Sequence, residues 1–363
     1  MKFKVEKEDL LNAIQTVQNV ITAKAALPIL SNLLIETYED KVRLSATDLD
    51  IGISCVIPVQ IQETGAITVP AKRFGDIIRE LPSDNVNIST KKNNSVVVEI
   101  ESCQFKIMGL PREEFPKLPE FQNKEAVKLE QGVLKQMLNL TSFAVSFDET
   151  RYILNGILFK INKNSITFVA TDGKRLAIVE RKTKQDTDKE AQFIVPIKTV
   201  HELARNLKDD TEVSLILGNN QVLFDLGEVV IVSRLIEGEF PDYRQVIPAV
   251  SENKMKSGRE EFLLAVKRAA LLSTPDYQAV KFELFKDKLV VSKSTPDIGE
   301  SREELGVEYK GKEMAIGFNP NYLIDVLKNL QNEKIEFELS DTEKPGVIRV
   351  DGYIYIVLPM RLS

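Results

Sequence analysis

The chain of 363 residues carries 48 lysines and arginines against 54 aspartates and glutamates, a formal net charge of −6, and 43% of it is hydrophobic. That length supports two or three domains with a well-buried core in each, and the composition is that of a soluble globular protein. The mild acidity weighs against a protein coated in nucleic acid but leaves room for a confined basic surface. No apolar run approaches the roughly 18 residues of a membrane span. Met1–Val5 leads straight into charged residues without a signal peptide, so the cytoplasm is the expected compartment.

Cys55 and Cys103 are the only cysteines, and neither sits in a CxxC, which argues against a disulfide framework or a zinc site. His201 is the only histidine, so multi-histidine metal sites are excluded. It falls mid-helix beside Glu202, on a face shared with Lys198 and Arg205, and reads as solvent-facing. There is no GxxxxGK[ST] phosphate loop, GxGxxG, GxSxG, HExxH or EF-hand loop. No cofactor, metal ion or catalytic residue is expected.

The first element is a helical pattern with Leu10, Ile14, Val17 and Ile21 on one face and Asn12, Gln15, Thr16 and Asn19 on the other. A meander of strands follows. A second helix then starts at Pro70, a good first-turn residue, and buries Phe74, Ile77, Ile78 and Leu81. Alternating runs such as Val96–Ile100 complete the unit.

The same order then returns about 125 residues on. Leu30–Ile35 resembles Leu154–Phe159, and Ala46-Thr47-Asp48 recurs as Ala170-Thr171-Asp172. Val69-Pro70 recurs as Val195-Pro196, Asn93-Asn94 as Asn219-Asn220, and Glu114-Phe115-Pro116 as Glu239-Phe240-Pro241. A fainter third copy places Asp297-Ile298-Gly299 about 247 residues after Asp50-Ile51-Gly52. Helices are expected over Gln131–Ser146 and Pro196–Leu207 in the second copy, and over Arg259–Ser273 and Pro320–Leu330 in the third. The fold class is α+β: three repeated domains, 1–122, 123–247 and 248–363, each of antiparallel sheet with two helices packed on one face.

The exposed helix sides are polar and mildly basic, with Lys72 and Arg73, Lys198 and Arg205, and Lys267 and Arg268, while acid concentrates in loops and strands. Such a field suits loose, sequence-independent contact with phosphate rather than base readout. Asp172-Gly173 is a hairpin signal between the strands Ser165–Val169 and Leu176–Val179, and it gathers Thr171, Arg175 and Leu176 at one sheet end. Asp48-Leu49-Asp50 could be a metal-binding acid pair, but its copy, Asp172-Gly173-Lys174, has lysine in second place, so a turn is expected.

The repeats, Ala170–Ala177, the phrase Glu237–Tyr243 and the terminus Leu358-Pro359-Met360-Arg361-Leu362 together resemble the bacterial sliding clamp, the β processivity subunit of the replicative DNA polymerase. The resemblance runs the full length. It implies clamp domains with helices inside and sheets outside, two subunits joined head to tail into a ring, and double-stranded DNA threaded through without sequence preference. Catalysis then resides in the partner polymerase. The resemblance also implies a partner pocket for short peptides rich in Gln, Leu and Phe, used by the replicative polymerase, the clamp loader and other replication and repair proteins. Carried onto this chain, the pocket comprises Leu154, Thr171, Gly173, Arg175, Leu176, Pro241, Val246, Ile356, Leu358 and Met360, a mostly apolar set that suits a peptide groove. Lys174 stands at the rim where many members carry histidine, and Lys24 stands where arginine is frequent. The implied DNA-facing residues are Lys24, Lys72, Arg73, Lys198 and Arg205. The implied subunit contact sets Phe105 and Ile107 on one side against Leu271 and Leu272 on the other. The rival readings are an enzyme with carboxylates in a cleft between repeats and a repeat-built scaffold that never meets DNA.

Overall fold

The computed structural model describes residues 1–21, 27–82, 85–101, 103–119, 121, 126–183 and 190–362. The chain forms two compact units, Met1–Leu134 with Lys198–Leu235, and Lys135–Ile197 with Ile236–Ser363. The middle repeat is thus divided between them.

The reason is visible in the sheets. In the first unit an eight-stranded antiparallel sheet runs in the order Ala126–Glu130, Glu212–Leu217, Gln221–Asp225, Val229–Arg234, Ile51–Pro58, Lys41–Thr47, Asn32–Tyr38, Gly65–Pro70. Its seam pairs Val229–Arg234 of one repeat with Ile51–Pro58 of another, Val232 opposite Gly52. In the second unit the order is Ala191–Pro196, Gly156–Asn162, Ser165–Thr171, Arg175–Lys182, Tyr353–Val357, Gly346–Val350, Lys334–Glu338, Lys254–Gly258. There the seam sets Leu176 opposite Ile356. A strand ladder shared by two repeats binds them more closely than the halves of one repeat bind each other.

Each unit has one smaller sheet. The first carries five strands, ending at the edge strand Cys103–Met108, and the second carries four, ending at Gly299–Gly306. All the pairings are antiparallel, as a meander of short connections requires.

The helices are α1 (Lys7–Gln18), α2 (Ala71–Glu80), α3 (Gln131–Thr141), α4 (Ile197–Asn206), α5 (Arg259–Ala270) and α6 (Pro320–Asn329). Leu10, Ile14 and Val17 of α1 are buried, and Gly75 of α2 lets the two helices approach, since a Cβ there would lie 3.2 Å from Ile14. In α6 the Asn319 side chain accepts the Asn321 amide at 3.0 Å and Pro320 opens the first turn, a standard cap. Among the described residues no helix is long and apolar enough to cross a membrane.

Several expectations are refined. Ile21 lies beyond the end of α1, and Ile77 is only half-buried. The helix expected to reach Ser146 stops at Thr141, whose hydroxyl turns back onto the Met137 carbonyl at 2.8 Å. A short 3-10 turn, Ser142–Ala144, then presents the Phe143 carbonyl to Arg175. The third repeat's hairpin pairs Thr295 with Gly299, whereas the first two pair Thr47 with Gly52 and Thr171 with Leu176. Its turn is one residue shorter, which is why Asp297-Ile298-Gly299 falls one position short of a constant spacing.

Candidate functional site

The Thr-Asp turn is built by its own side chains. Thr171 Oγ1 donates to the Arg175 carbonyl at 2.6 Å and accepts the Gly173 amide at 3.0 Å. Asp172 Oδ1 accepts the amides of Lys174 at 2.8 Å and Arg175 at 3.0 Å. These are the local side-chain bonds by which Thr and Asp favour turns over regular structure. The middle of the turn needs a left-handed backbone, and Gly173 supplies it with φ 87°.

Arg175 leaves this turn inward and is 9% exposed. Its Nε donates to Asp172 Oδ2 at 3.0 Å, Nη1 to Asp325 Oδ2 of α6 at 2.6 Å, and Nη2 to the Phe143 carbonyl. The guanidinium lies over the Tyr322 ring at 4.4 Å and near that of Phe143 at 5.5 Å. Burial works against the charge, but Tyr355 and the Asp325 and Asp172 carboxylates outweigh it, leaving the group's pKa above its ordinary value.

Beside the turn lies an apolar surface. Leu176 and Ile356 are buried, at 4% and 3% exposure, in a cluster with Leu158, Val169, Ile178, Ile194 and Val347. Ile153, Ile236, Phe240, Tyr243 and Ile247 pack against it, bringing the segment that contains Pro241 and Val246 alongside. Pro241 is exposed, Val246 is 58% exposed and Leu358 44%, while Leu154 and Met360 are half-buried. The Leu358 amide donates to the Lys174 carbonyl at 2.9 Å, and the Met360 amide to the Gly317 carbonyl at 2.8 Å. The C-terminal tail therefore runs from the turn onto the strand Met314–Phe318.

Strand pairing and this cluster thus bring Thr171, Gly173, Arg175, Leu176, Ile356 and Leu358 together directly. Arg175 differs from the other members of that set because each of its three nitrogens already donates to a protein acceptor. Sequence reasoning missed Phe143, Arg151, Tyr322 and Asp325. Arg151 donates to the Asp172 carbonyl at 3.3 Å, and its guanidinium would stand 2.9 Å from a Cβ on Gly173. Asp325 lies 150 positions from Arg175, so no local spacing reveals the pair.

The helix cations have different surroundings. Lys72 and Arg73 of α2 are exposed. Lys198 is bound to Asp48, and Arg205 pairs with Glu202 at 2.5 Å. Lys24 lies outside the described residues. His201 is exposed, as expected. On the edge strand Phe105 is 37% exposed and Met108 60%, while Ile107, on the same side as Phe105, is buried at 6%. Leu271, which caps α5, is 81% exposed; Leu272 is half-buried and its carbonyl accepts from Thr295 at 2.5 Å. Among the described residues no three His, Cys, Asp or Glu side chains form a metal-binding group.

Models of the DNA polymerase III beta subunit match the chain in three parts: the N-terminal domain over residues 1–119, the central domain over 128–242 and the C-terminal domain over 244–361. The beta sliding clamp of Chlamydia muridarum is 33% identical over 363 residues, covering 100% of this chain and 99% of the relative. That of Escherichia coli K12 is 34% identical over 367 residues, covering 100% of each. The crystal structure of the Bacillus subtilis DNA polymerase sliding clamp superposes with a TM-score of 0.96 at 30% identity, over 100% of both chains. The Pseudomonas aeruginosa sliding clamp bound to griselimycin superposes with 0.95 at 33%, again over 100% of both. Matched along its whole length in both sequence and fold, this chain belongs to the DNA polymerase III beta-subunit family, the DNA sliding clamps, which are processivity factors and not catalysts.

Proposed function

We propose that two copies of this chain, each of three domains at 1–122, 123–247 and 248–363, close head to tail into a ring around duplex DNA in the cytoplasm. The ring tethers the replicative polymerase by topology, and the groove beside the Thr171–Leu176 turn holds short apolar peptides of the polymerase, the clamp loader and other replication and repair proteins. The observation that supports the ring is an edge strand of the smaller sheet in each unit, Cys103–Met108 and Gly299–Gly306. Each offers unpaired backbone groups to another chain, and two different edges suit a heterologous contact. The exposed Phe105 and Leu271 supply apolar area at this contact, with Ile107 and Leu272 packed behind. Lys72 and Arg73, with Lys24, Lys198 and Arg205, contribute a loose phosphate-facing field, and no base readout is needed of a ring.

Retention on DNA tests this reading. Loaded on closed circular duplex, the protein stays bound through a salt wash that strips it from linear duplex. Equal loss from both forms would rule out encirclement. Crystal structures of the Pseudomonas aeruginosa and Bartonella birtlesii clamps contain griselimycin, and we expect this chain to bind it as well.

A further inference from the structure

The carboxylate that Arg175 reaches has counterparts at the same place in the other second helices of the repeats. Asp76 of α2 pairs with Arg79 at 2.9 Å, and Glu202 of α4 with Arg205, each three residues on along its own helix. Asn206 donates to the Glu202 carbonyl at 2.8 Å and Asn329 to the Asp325 carbonyl at 2.9 Å, so Glu202 and Asp325 are equivalent. In α6 the residue three on is Lys328, and Asp325 is directed away from its own helix to Arg175.

The first unit shows the same turn with a different tie. There Ile51 stands in place of Arg175, and Lys198 of α4 binds Asp48 of the turn directly. Glu202 Oε2, lacking an arginine from the turn, is buried without a hydrogen-bond partner. Both units therefore tie a Thr-Asp turn to the neighbouring helix by an ion pair, with the cation drawn from the helix in one and from the turn in the other. Retention of the tie through exchanged chemistry points to a geometric purpose.

We infer that Asp325 is a positioning residue for the peptide groove, acting through Arg175. This rests on the groove reading above. Arg175 does not need to touch the peptide. Its three donating nitrogens link the turn, α6 and the Phe143 carbonyl, which fixes where Gly173, Lys174 and Leu176 stand relative to the Leu358 tail. Holding that wall before a peptide arrives removes an ordering cost from binding.

The test uses the full-length protein, a labelled synthetic pentapeptide of Gln, Leu and Phe, and the near-isosteric Asp325→Asn. Peptide affinity falls about tenfold, because a hydrogen bond between two charged groups becomes one with a neutral acceptor. Hydrogen exchange of the Lys174 and Arg175 amides quickens, while the sedimentation profile holds and the protein stays folded at the assay temperature. Asp325→Glu, which keeps the charge, recovers most of the affinity. An Asp325→Asn protein within about twofold of the parent, or one with unchanged exchange in the turn, overturns the positioning role. Leu358→Asp separates the two readings. If it abolishes binding while Asp325→Asn does not, the groove stands and only the positioning role fails; if it leaves binding intact, the groove reading fails and takes the positioning role with it.

Discussion

The two units present one backbone design with different side-chain volumes. In the second unit Val169 faces Ile178 and Leu176 faces Ile356, all four apolar and buried. At the matching register of the first unit stand Ser45 facing Ser54 and Gly52 facing Val232. The serine hydroxyls bond to each other at 3.0 Å, and Leu118 occupies the space beside Gly52, within 2.6 Å of where a Cβ would lie. One face of the second unit's sheet is therefore a solid apolar cluster covered by Phe240, Tyr243 and Ile247. The first unit lines a groove of about 1240 Å³ with its serine pair, whereas a groove of about 1100 Å³ in the second has Ile178 and Ile354 in its lining. Identical turns and ladders do not make identical sites. Whether the surface beside the turn is apolar and firm follows from the residues at these four positions in each unit.

Breaking the firm side should have the largest effect. Leu176→Ala removes a side chain that is 4% exposed and should cost about 3 kcal/mol in denaturant unfolding, within the usual range for buried leucine. Gly52→Leu forces a side chain onto Leu118 and should cost about 1–3 kcal/mol by overpacking. Only the Leu176 change should also weaken peptide binding. A Gly52→Leu protein as stable as its parent would mean that Leu118 moves aside freely.

The ties come next. Arg175→Leu strands two carboxylates beside a buried site and should cost about 2–4 kcal/mol. Lys198→Met breaks a pair whose lysine side chain is 41% exposed, and about 0–1 kcal/mol is expected. Equal losses in urea titrations would mean that burial does not set the strength of the tie.

How much of this was legible follows from what a side chain's function depends on. Thr47-Asp48 and Thr171-Asp172 stand out in the sequence because the turn needs those side chains on its own backbone amides, at fixed short spacing. The three repeats were readable from phrases that recur about 125 residues apart, and the six helices of the described residues from their apolar periodicity, although the one read to Ser146 stops at Thr141. Asp325 and Phe143 were not, because Arg175 meets them through the fold and not along the chain. The engagement of Lys198 was hidden likewise: its partner Asp48 lies in another repeat. The alternation of Phe105 and Ile107 with Gln104 and Lys106 reads as a half-exposed edge strand, but it does not say that Phe105 is exposed while Ile107 is buried, since alternation marks faces and not how far each position is covered.

A smaller effect separates the units at alkaline pH. Cys55 faces Leu44 on the first unit's seam strand, where Val179 faces Phe168 in the second. Burial, with Glu228 adding to it, raises the Cys55 thiol from 9.0 to about 11. A raised acid pKa means the fold favours the neutral thiol. That contribution is complete below pH 9 and is lost as pH rises toward 11. About 1 kcal/mol should be gone by pH 10. Cys55→Val, which copies the second unit, should flatten this alkaline decline as measured by urea midpoints across pH 8 to 10.5. An unchanged slope would assign the decline to other groups.

The smallest contrast lies within the turn. Leu49 holds φ 82° where Gly173 holds φ 87°, and the hydrogen bonds around the two positions correspond one to one. Glycine takes this backbone without steric cost, whereas leucine's Cβ crowds the neighbouring carbonyl. The first unit therefore carries local strain that the second avoids. Leu49 gains little in return, being 45% exposed. Leu49→Gly relieves the strain but frees the unfolded chain, and the two effects oppose each other. A net change within about 0.5 kcal/mol is expected, whereas Gly173→Ala, with strain added and only slight entropy recovered, should cost about 1 kcal/mol. Calorimetric melting of the two single variants and their double checks the sign. If Gly173→Ala melts no lower than the parent, neither the left-handed turn nor Arg151, 2.9 Å from the added Cβ, is what holds glycine at that position.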